Sequence, residues 1–480
     1  MVKLHLKTSK LCFMKTILTF VVLCFSLNSV FAQPTMTWDS PIDVSSQEFG
    51  NRCIRIALNQ AGNPMVLHGK TGDNAGLYLS IMEDGIFGDP IQIVSETNIY
   101  LVGESEGPRM AVYENRVAVS YQIFGEWATG GQVVISEDDG YTWGEPYAIA
   151  PTATEDHFMP HVAFNDEGLP WVAVKLGVNP TEEGILHFNT DLDAFDPAIS
   201  GSTATPGVCE CCPSNAFGYE GMYYNVVRTN GDNLRDFWLT ASSDGVNWDN
   251  AIDIDETDWV INACPASGTS STVMEDGTLI SAYMSAPNGS RVYWSSADLS
   301  AFTFLETGQI DPGNTSSENH PSISSSGDWL VAAWERNSGG YNVMVAISDA
   351  GPQALEMSVM NVTEGLSGHN RYPSVVYDGE YIHLVYQNAE NGVVHYLKGE
   401  ISGTSKVEGV EFKENPWTIT THESGWILRG EDASYTLYDL SGQALEMGEF
   451  LNELRVPNNN KAMILHVRNS HQVNSFKLVK

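Results

Sequence analysis

The chain has 480 residues, enough for one large β domain and a small one, and its 60 acidic side chains far outnumber its 24 basic ones. A net charge of −36 repels polyanions, which argues against nucleic acid and anionic membrane surfaces as partners. The acidic balance suits a solvated surface, and no complete calcium-loop motif accompanies the Asp-rich turns.

The first 32 residues read as an export leader. Lys3, Lys7, Lys10 and Lys15 precede the apolar run Ile17–Leu27, and Val30-Phe31-Ala32 supplies the cleavage positions. Met14 is a second candidate start. The apolar run is well short of the roughly 20 residues that span a bilayer, so no transmembrane segment is expected. Losing the four leader lysines leaves 20 basic against 60 acidic residues, a net of −40. The mature chain is expected to be secreted or held at the outer cell surface, where disulfides form. Cys12 and Cys24 leave with the leader, so Cys53, Cys209, Cys211, Cys212 and Cys264 remain, and an odd count keeps at least one thiol out of a disulfide.

One pattern then recurs seven times: an anchor, usually proline, a short alternating strand, a Gly or Asp turn, and a second strand rich in Val, Ala, Trp and Tyr. The anchors are Ile54, Pro108, Pro160, Pro213, Pro265, Pro321 and Pro373, spaced 54, 52, 53, 52, 56 and 52 residues apart. Each unit holds about four strands; in the second these are Met110–Val112, Arg116–Gln122, Gln132–Ser136 and Tyr147–Ala150. Seven such units predict an all-β fold, a β-propeller over residues 36–401, with six or eight blades the alternatives if one repeat is miscounted. The seventh repeat stops after three strands near Ile401. Thr37–Val44, which is similar to the outer strand Trp143–Tyr147, is expected to supply the fourth and close the ring.

Ser136-Glu137-Asp138-Asp139-Gly140-Tyr141-Thr142-Trp143 matches the Asp-box, Ser-x-Asp-x-Gly-x-Thr-Trp, in full. Asp244-Gly245-Val246-Asn247-Trp248 is a partial copy and Asp84-Gly85-Ile86-Phe87 a fainter one. On these residues the propeller resembles the sialidase-like, Asp-box (BNR-repeat) family. The box marks the fold and lies away from the usual binding face.

Residues 402–414 read as a linker and 415–480 as a small β-sandwich-like module. Asn415-Pro416-Trp417, Tyr435-Thr436-Leu437-Tyr438-Asp439-Leu440-Ser441-Gly442 and Lys477-Leu478-Val479-Lys480 give it a resemblance to the C-terminal sorting domain of the type IX secretion system of Bacteroidetes. Asn460-Lys461-Ala462-Met463 stands where that family has Gly-x-Tyr. The resemblance implies type IX secretion machinery as a partner.

Equivalent residues beside the anchors should form a ring at the central channel. Those before the anchors are Cys53, Gly107, Met159, Cys212, Cys264, His320 and Tyr372; those after are Arg55, Arg109, His161, Ser214, Ala266, Ser322 and Ser374. With simple strand alternation the two columns share a face. Cys211, Cys212, Cys264 and His320 come from adjacent blades and are candidate ligands for a soft metal, Cu(I) or Zn²⁺. Disulfide stapling of Cys209, Cys211, Cys212 and Cys264 is the competing reading. The sialidase resemblance implies a different chemistry, in which three arginines hold a sugar carboxylate while a tyrosine–glutamate pair and an aspartate act on the glycosidic bond. Arg52, Arg55, Arg109 and Arg371, with Tyr372, are the candidates for glycan binding, while the tyrosine–glutamate pair has no placement. Asp156 and His157 could extend either site. Two functions therefore stand open. One is an exported propeller that binds or hydrolyses extracellular glycans or glycoproteins, an exo-sialidase-like glycoside hydrolase if an enzyme. The other is a non-catalytic propeller with a metal-binding or disulfide-braced Cys/His/Met ring.

Overall fold

The computed structural model describes residues 34–46, 51–101, 104–177, 181–403, 417–422, 425–430, 432–439, 444–457, 463–468 and 473–478. The chain divides into two compact units, one up to residue 406 and one from residue 407. The export leader, residues 404–414 of the expected linker, and the Ser441-Gly442 turn lie outside the described residues.

The larger unit consists of seven antiparallel sheets, each of four or five strands, one for each sequence repeat. Their innermost strands, which number the blades 1 to 7, are Asn51–Leu58, Arg109–Tyr113, His157–Phe164, Asn215–Tyr219, Thr269–Val273, Ser317–Ser326 and Asn370–Tyr377. Seven blades is thus the observed count. The last sheet is completed from the other end of the chain, where Thr35–Trp38 pairs with Val394–Ser402 and Ile42–Asp43 joins the same strand. Trp38 lies opposite Gly399, where a Cβ would come within 2.8 Å of the indole, so the clasp needs a residue without a side chain.

The repeated anchor has a backbone explanation. In blades 1, 3, 6 and 7 the inner strand slips register between Arg52 and Arg55, Phe158 and His161, Asn319 and Ser322, and Arg371 and Ser374. Two residues face one across the ladder, and the first of each pair, Cys53, Met159, His320 or Tyr372, takes φ between 51° and 57°. Proline cannot donate to a ladder, so it is tolerated at the second bulge position, where pairing has lapsed. Left-handed backbone at bulky residues is costly and persists where the surroundings over-determine it. Blades 2, 4 and 5 have no such slip. Their inner strands begin after the proline, at Arg109, Asn215 and Thr269. The simple alternation expected of the anchor columns therefore fails at the bulges.

Inner strands are sheet edges, and their outward N–H groups find acceptors on the preceding blade. Ser120 Oγ accepts from Val162 N (3.2 Å), His161 Nδ1 from Ala216 N (2.7 Å), Ser270 Oγ from Ile323 N (3.1 Å), Ser322 Oγ from Val375 N (3.0 Å) and Ser374 Oγ from Ile56 N (3.2 Å). Three of the seven post-anchor residues are thus blade-to-blade stitches. Between blades the second strands supply the apolar filling: Trp171 and Trp334 are fully buried and Tyr386 nearly so. Each such side chain contributes roughly 2–3 kcal/mol through burial.

The Asp-box turn holds itself together. Asp138 Oδ1 accepts from Thr142 N (2.8 Å), Oδ2 from Thr142 Oγ1 (2.6 Å), and Trp143 Nε1 donates to Gly140 O (2.9 Å). The partial copy repeats this, with Asn247 replacing Thr: its N–H and Nδ2 reach Asp244 at 2.8 and 2.7 Å, and Trp248 Nε1 donates to Gly245 O. The Asn247 N–H bond, foremost among these contacts, holds the Asp244 carboxyl well below the usual carboxylate range. Asp84-Gly85 forms a two-residue hairpin turn between Glu83 and Ile86, both turn residues at positive φ.

The smaller unit has a three-stranded sheet (Trp417–His422, Gly425–Gly430, Glu453–Pro457) and a four-stranded one (Ala433–Asp439, Ala444–Phe450, Met463–Arg468, Val473–Leu478). Trp417, Trp426 and Leu428 of the first share one apolar core with Leu437, Phe450 and Leu465 of the second. Among the described residues, no helix is long and apolar enough to cross a membrane.

Candidate functional site

The channel mouth is a cavity of about 300 Å³ to which every blade contributes, through Arg55, Arg109, His161, Asn215, Thr269, His320 and Tyr372 in blade order. The volume suits one sugar-sized ligand.

Arg55 and Arg109 enter from successive blades. Arg55 Nη1 donates to Ile54 O (2.6 Å) and Nη2 to the Glu104 carbonyl, while Arg109 Nη2 donates to the Ser105 carbonyl. These bonds fix the guanidinium planes and leave the Nε of each buried with no acceptor among the described residues. Burial lowers the pKa of Arg109, and the positive charge of Arg55 pushes it the same way; burial likewise lowers that of Arg55. Glu104 offsets part of the charge at Arg55 and Glu106 part of that at Arg109.

Glu104 is the carboxylate lining this cavity among the described residues. Its Oε2 accepts from Cys53 N (2.6 Å), and burial raises its pKa against the opposing pull of Arg55. His161 is 9% exposed, and its Nδ1 is occupied by Ala216 N–H. Burial first, then Arg109 and Arg55, hold it far below the ordinary histidine range. The neutral ring thus carries its proton on Nε2, as a donor. His320 pairs through Nδ1 with Ser105 Oγ (3.0 Å), its Nε2 lies 3.8 Å from Glu335 Oε1, and its ring meets Tyr372 edge-on at 4.9 Å. Burial pulls its pKa down as well.

Of the four arginines proposed from sequence, the structure brings two together. Arg371 is committed elsewhere: it forks onto Glu335 (3.0 and 2.9 Å) and lies between the rings of Tyr341 and Tyr372, 3.7 and 4.4 Å from their centroids. Arg52 is exposed and does not line the cavity. Tyr372 does line it, as a phenol whose pKa is pushed up to about 12, mainly by burial.

Three members of the proposed metal set, Cys211, Cys212 and Cys264, meet in one sulfur cluster, and His320 has partners of its own. Cys211 and Cys264 are joined in a disulfide, with Cα atoms 6.1 Å apart. Cys212 lies 3.2 Å from Cys209, and among the described residues the sulfurs of Cys209, Cys211 and Cys212 are the ones that cluster, all within 4.8 Å. Cys53 is buried as a thiol in the apolar core between blades 1 and 2. None of these five cysteines lines the channel cavity.

A second cavity, of about 260 Å³, is walled by Tyr100, Trp127, Phe158 and Met159, with Asp156 and Glu210 at its edge. Tyr100, Phe124 and Trp127 pack on one another with centroids 5.4–5.9 Å apart. Met159 and His161 belong to the same strand, so this cleft adjoins the arginine cavity. Tyr100 donates its hydroxyl to Glu106, and its ring lines this second cleft. His157 turns its Nδ1 to the Glu155 carbonyl (2.8 Å). Glu104, Ser105 and Tyr100 were missed because they sit on the loop between blades 1 and 2, outside any periodicity; the run of acids Glu104-x-Glu106 just before Pro108 was the available signal.

No protein-family model matches the chain, and no curated protein matches it. Among solved structures it is similar to a protein of unknown function from Dyadobacter fermentans (11% identity, 76% of this chain and 99% of that one, TM-score 0.46). It is also similar to a Trypanosoma rangeli sialidase in complex with the inhibitor DANA (10%, 92% and 89%, TM-score 0.44). A third is an ulvan lyase of polysaccharide lyase family PL25 bound to a GlcA–Rha3S saccharide (10%, 76% and 98%, TM-score 0.47). The blade assignment itself comes from this chain's own strand pairing.

Proposed function

We propose that this protein is an exported propeller that binds acidic extracellular glycans or glycoproteins, taking a sugar carboxylate at Arg55 and Arg109. The carrying observation is the pair of half-buried guanidiniums, Arg55 and Arg109, with unsatisfied buried Nε atoms in one cavity of a strongly acidic protein. Arginine forks match carboxylate geometry, and the cavity's neutral imidazole donor and serine hydroxyls suit sugar hydroxyls. The aromatic cleft offers ring faces to the next sugar along.

Binding is favoured over hydrolysis. A glycosidase of the usual kind needs two carboxyl groups about the bond, and Glu104 alone lines the cavity among the described residues. Tyr372, stacked under Arg371 and held as a phenol, is not primed as a nucleophile. The leader, the Cys211–Cys264 disulfide and the resemblance of residues 415–480 to a type IX sorting domain support export to the cell surface.

Calorimetric titration of the mature protein with sialyllactose and with uronate oligosaccharides tests the reading. Micromolar to millimolar binding that weakens with added salt and falls about tenfold or more in Arg109→Met is expected. Equal affinity in Arg109→Met and the parent, or no binding across the acidic panel, overturns it.

A further inference from the structure

The loop leading into blade 4 holds chemistry that glycan binding does not use. Its disulfide partner Cys264 is exposed and Cys211 partly so, whereas Cys209 and Cys212 are fully buried as thiols beside them. Cys209 Sγ lies 3.6 Å from Cys211 Sγ and 3.2 Å from Cys212 Sγ. The first distance is van der Waals contact between a potential nucleophile and a disulfide sulfur, and the second lets a Cys-x-x-Cys pair close on itself. Although Cys-x-Cys-Cys departs from the paired spacing of zinc ribbons, its outer members, Cys209 and Cys212, do have that interval.

The surroundings favour a thiolate at Cys209. Arg235, 3% exposed, donates Nη1 to Cys209 Sγ at 3.2 Å, and its own counter-charge, Glu210 Oε2, stands 3.9 Å from that nitrogen. The Cys212 hydrogen bond first, then the Cys211 N–H, Arg235 and the buried Lys175, draw Cys209 down to about 6. Burial and the Cys209 charge push Cys212 the other way, with Arg228 opposing. One sulfur is thus a ready nucleophile at neutral pH and its partner a held thiol.

We propose that Cys209, Cys212 and the Cys211–Cys264 disulfide form a thiol–disulfide exchange relay whose substrates are disulfides of extracellular peptides. The Cys209 thiolate attacks Cys211 Sγ, the Cys211–Cys264 bond breaks, and Cys264 leaves as a thiolate that takes a proton from solvent. Cys212 then attacks Cys209 Sγ, and its proton passes to the departing Cys211 thiolate. One disulfide is broken and one made, so the rearrangement needs no external oxidant. It leaves a buried Cys209–Cys212 bond and a Cys211/Cys264 dithiol at the surface, which reduces one peptide disulfide per chain by re-forming Cys211–Cys264 as the peptide takes up the two protons.

The test is native labelling of the full mature protein, purified without reductant, with N-ethylmaleimide, followed by acid quench and peptide mapping. Label on Cys211 and Cys264, together with a Cys209–Cys212 linked peptide, is expected in the parent and in Cys53→Ala. The label should drop about tenfold or more in Cys209→Ser, which lacks the attacking sulfur. In the parent, the Cys209–Cys212 linkage should form faster as pH passes upward through about 6, following Cys209 ionisation, when timed samples from each pH are all labelled at one common pH. That series decides the matter even if Cys209→Ser does not fold. Equal labelling in parent and Cys209→Ser, or Cys211–Cys264 as the sole linkage from mildly acidic to mildly alkaline pH, overturns the relay. Zinc or copper retained through purification with all three thiols shielded overturns it too.

Discussion

Blades 1 and 2 present Arg55 and Arg109 to the channel at the repeat position where blades 4 and 5 have Ser214 and Ala266. On the first side, short lead-in contacts from Glu104 and Ser105 pin the guanidiniums through their terminal nitrogens. On the second, the lead-in loops are held by a disulfide and by the Lys175–Ser214 contact at 2.8 Å. A single repeat has thus been turned to two uses: a polar pocket on one side, covalent bracing and sulfur chemistry on the other. Arg55 on a bulged strand and Arg109 on one that begins after its proline reach the same cavity, so the residue at the position and its lead-in loop decide what the position contributes.

The largest expected contrast is in stability. Cys264→Ser opens a link between residues 53 apart and should cost about 4 kcal/mol on chain-entropy grounds. Arg55→Met/Arg109→Met, which removes two half-buried charges of like sign, should leave the urea midpoint unchanged or slightly higher. A Cys264→Ser midpoint equal to the parent's would show that the sulfur side braces nothing. Affinity should invert the order. Arg109→Met should lose about 1.5–3 kcal/mol of binding to an acidic oligosaccharide, while Cys264→Ser, if folded, stays within about twofold.

The pH dependence sharpens the same contrast. Glu104 has a raised pKa, so lowering pH through that range neutralises it and leaves the arginines unopposed. Affinity for a carboxylate sugar should therefore rise on mild acidification, and Glu104→Gln should flatten the profile, both measurable by titration calorimetry. In stability the sign follows the raised pKa: the contribution is fully present below the ordinary carboxyl range and is lost as pH rises through the folded value. The smallest effect belongs to the stitches. Ser120→Ala removes the acceptor of Val162 N–H and should cost about 1 kcal/mol in a denaturation experiment without moving glycan affinity.

Much of the scaffold was legible because a proline is tolerated both in the bulges of blades 3, 6 and 7 and just before the inner strands of blades 2, 4 and 5, and prolines can be counted. Arg55 and Arg109 were legible for the same reason, one step past an anchor. Arg371 stands instead two residues before its anchor, and Glu335, 36 residues earlier and brought alongside by the packing of neighbouring blades, takes both arms of its fork. Spacing carries no signal for such a pairing. Glu104 and Ser105 were hidden in an aperiodic loop. Among the cysteines the odd count was readable, but which sulfurs meet depends on how two lead-in loops approach, a fact of tertiary geometry.

The clasp between Thr35 and Ser402 joins positions 367 residues apart. Until the strand Val394–Ser402 has been synthesised, the first strand has nowhere to dock, and the ring remains an open arc with a sticky edge at either end. The order of synthesis thus sets a timer: six complete sheets can form early, whereas the seventh, and with it the channel that holds Arg55, is finished last.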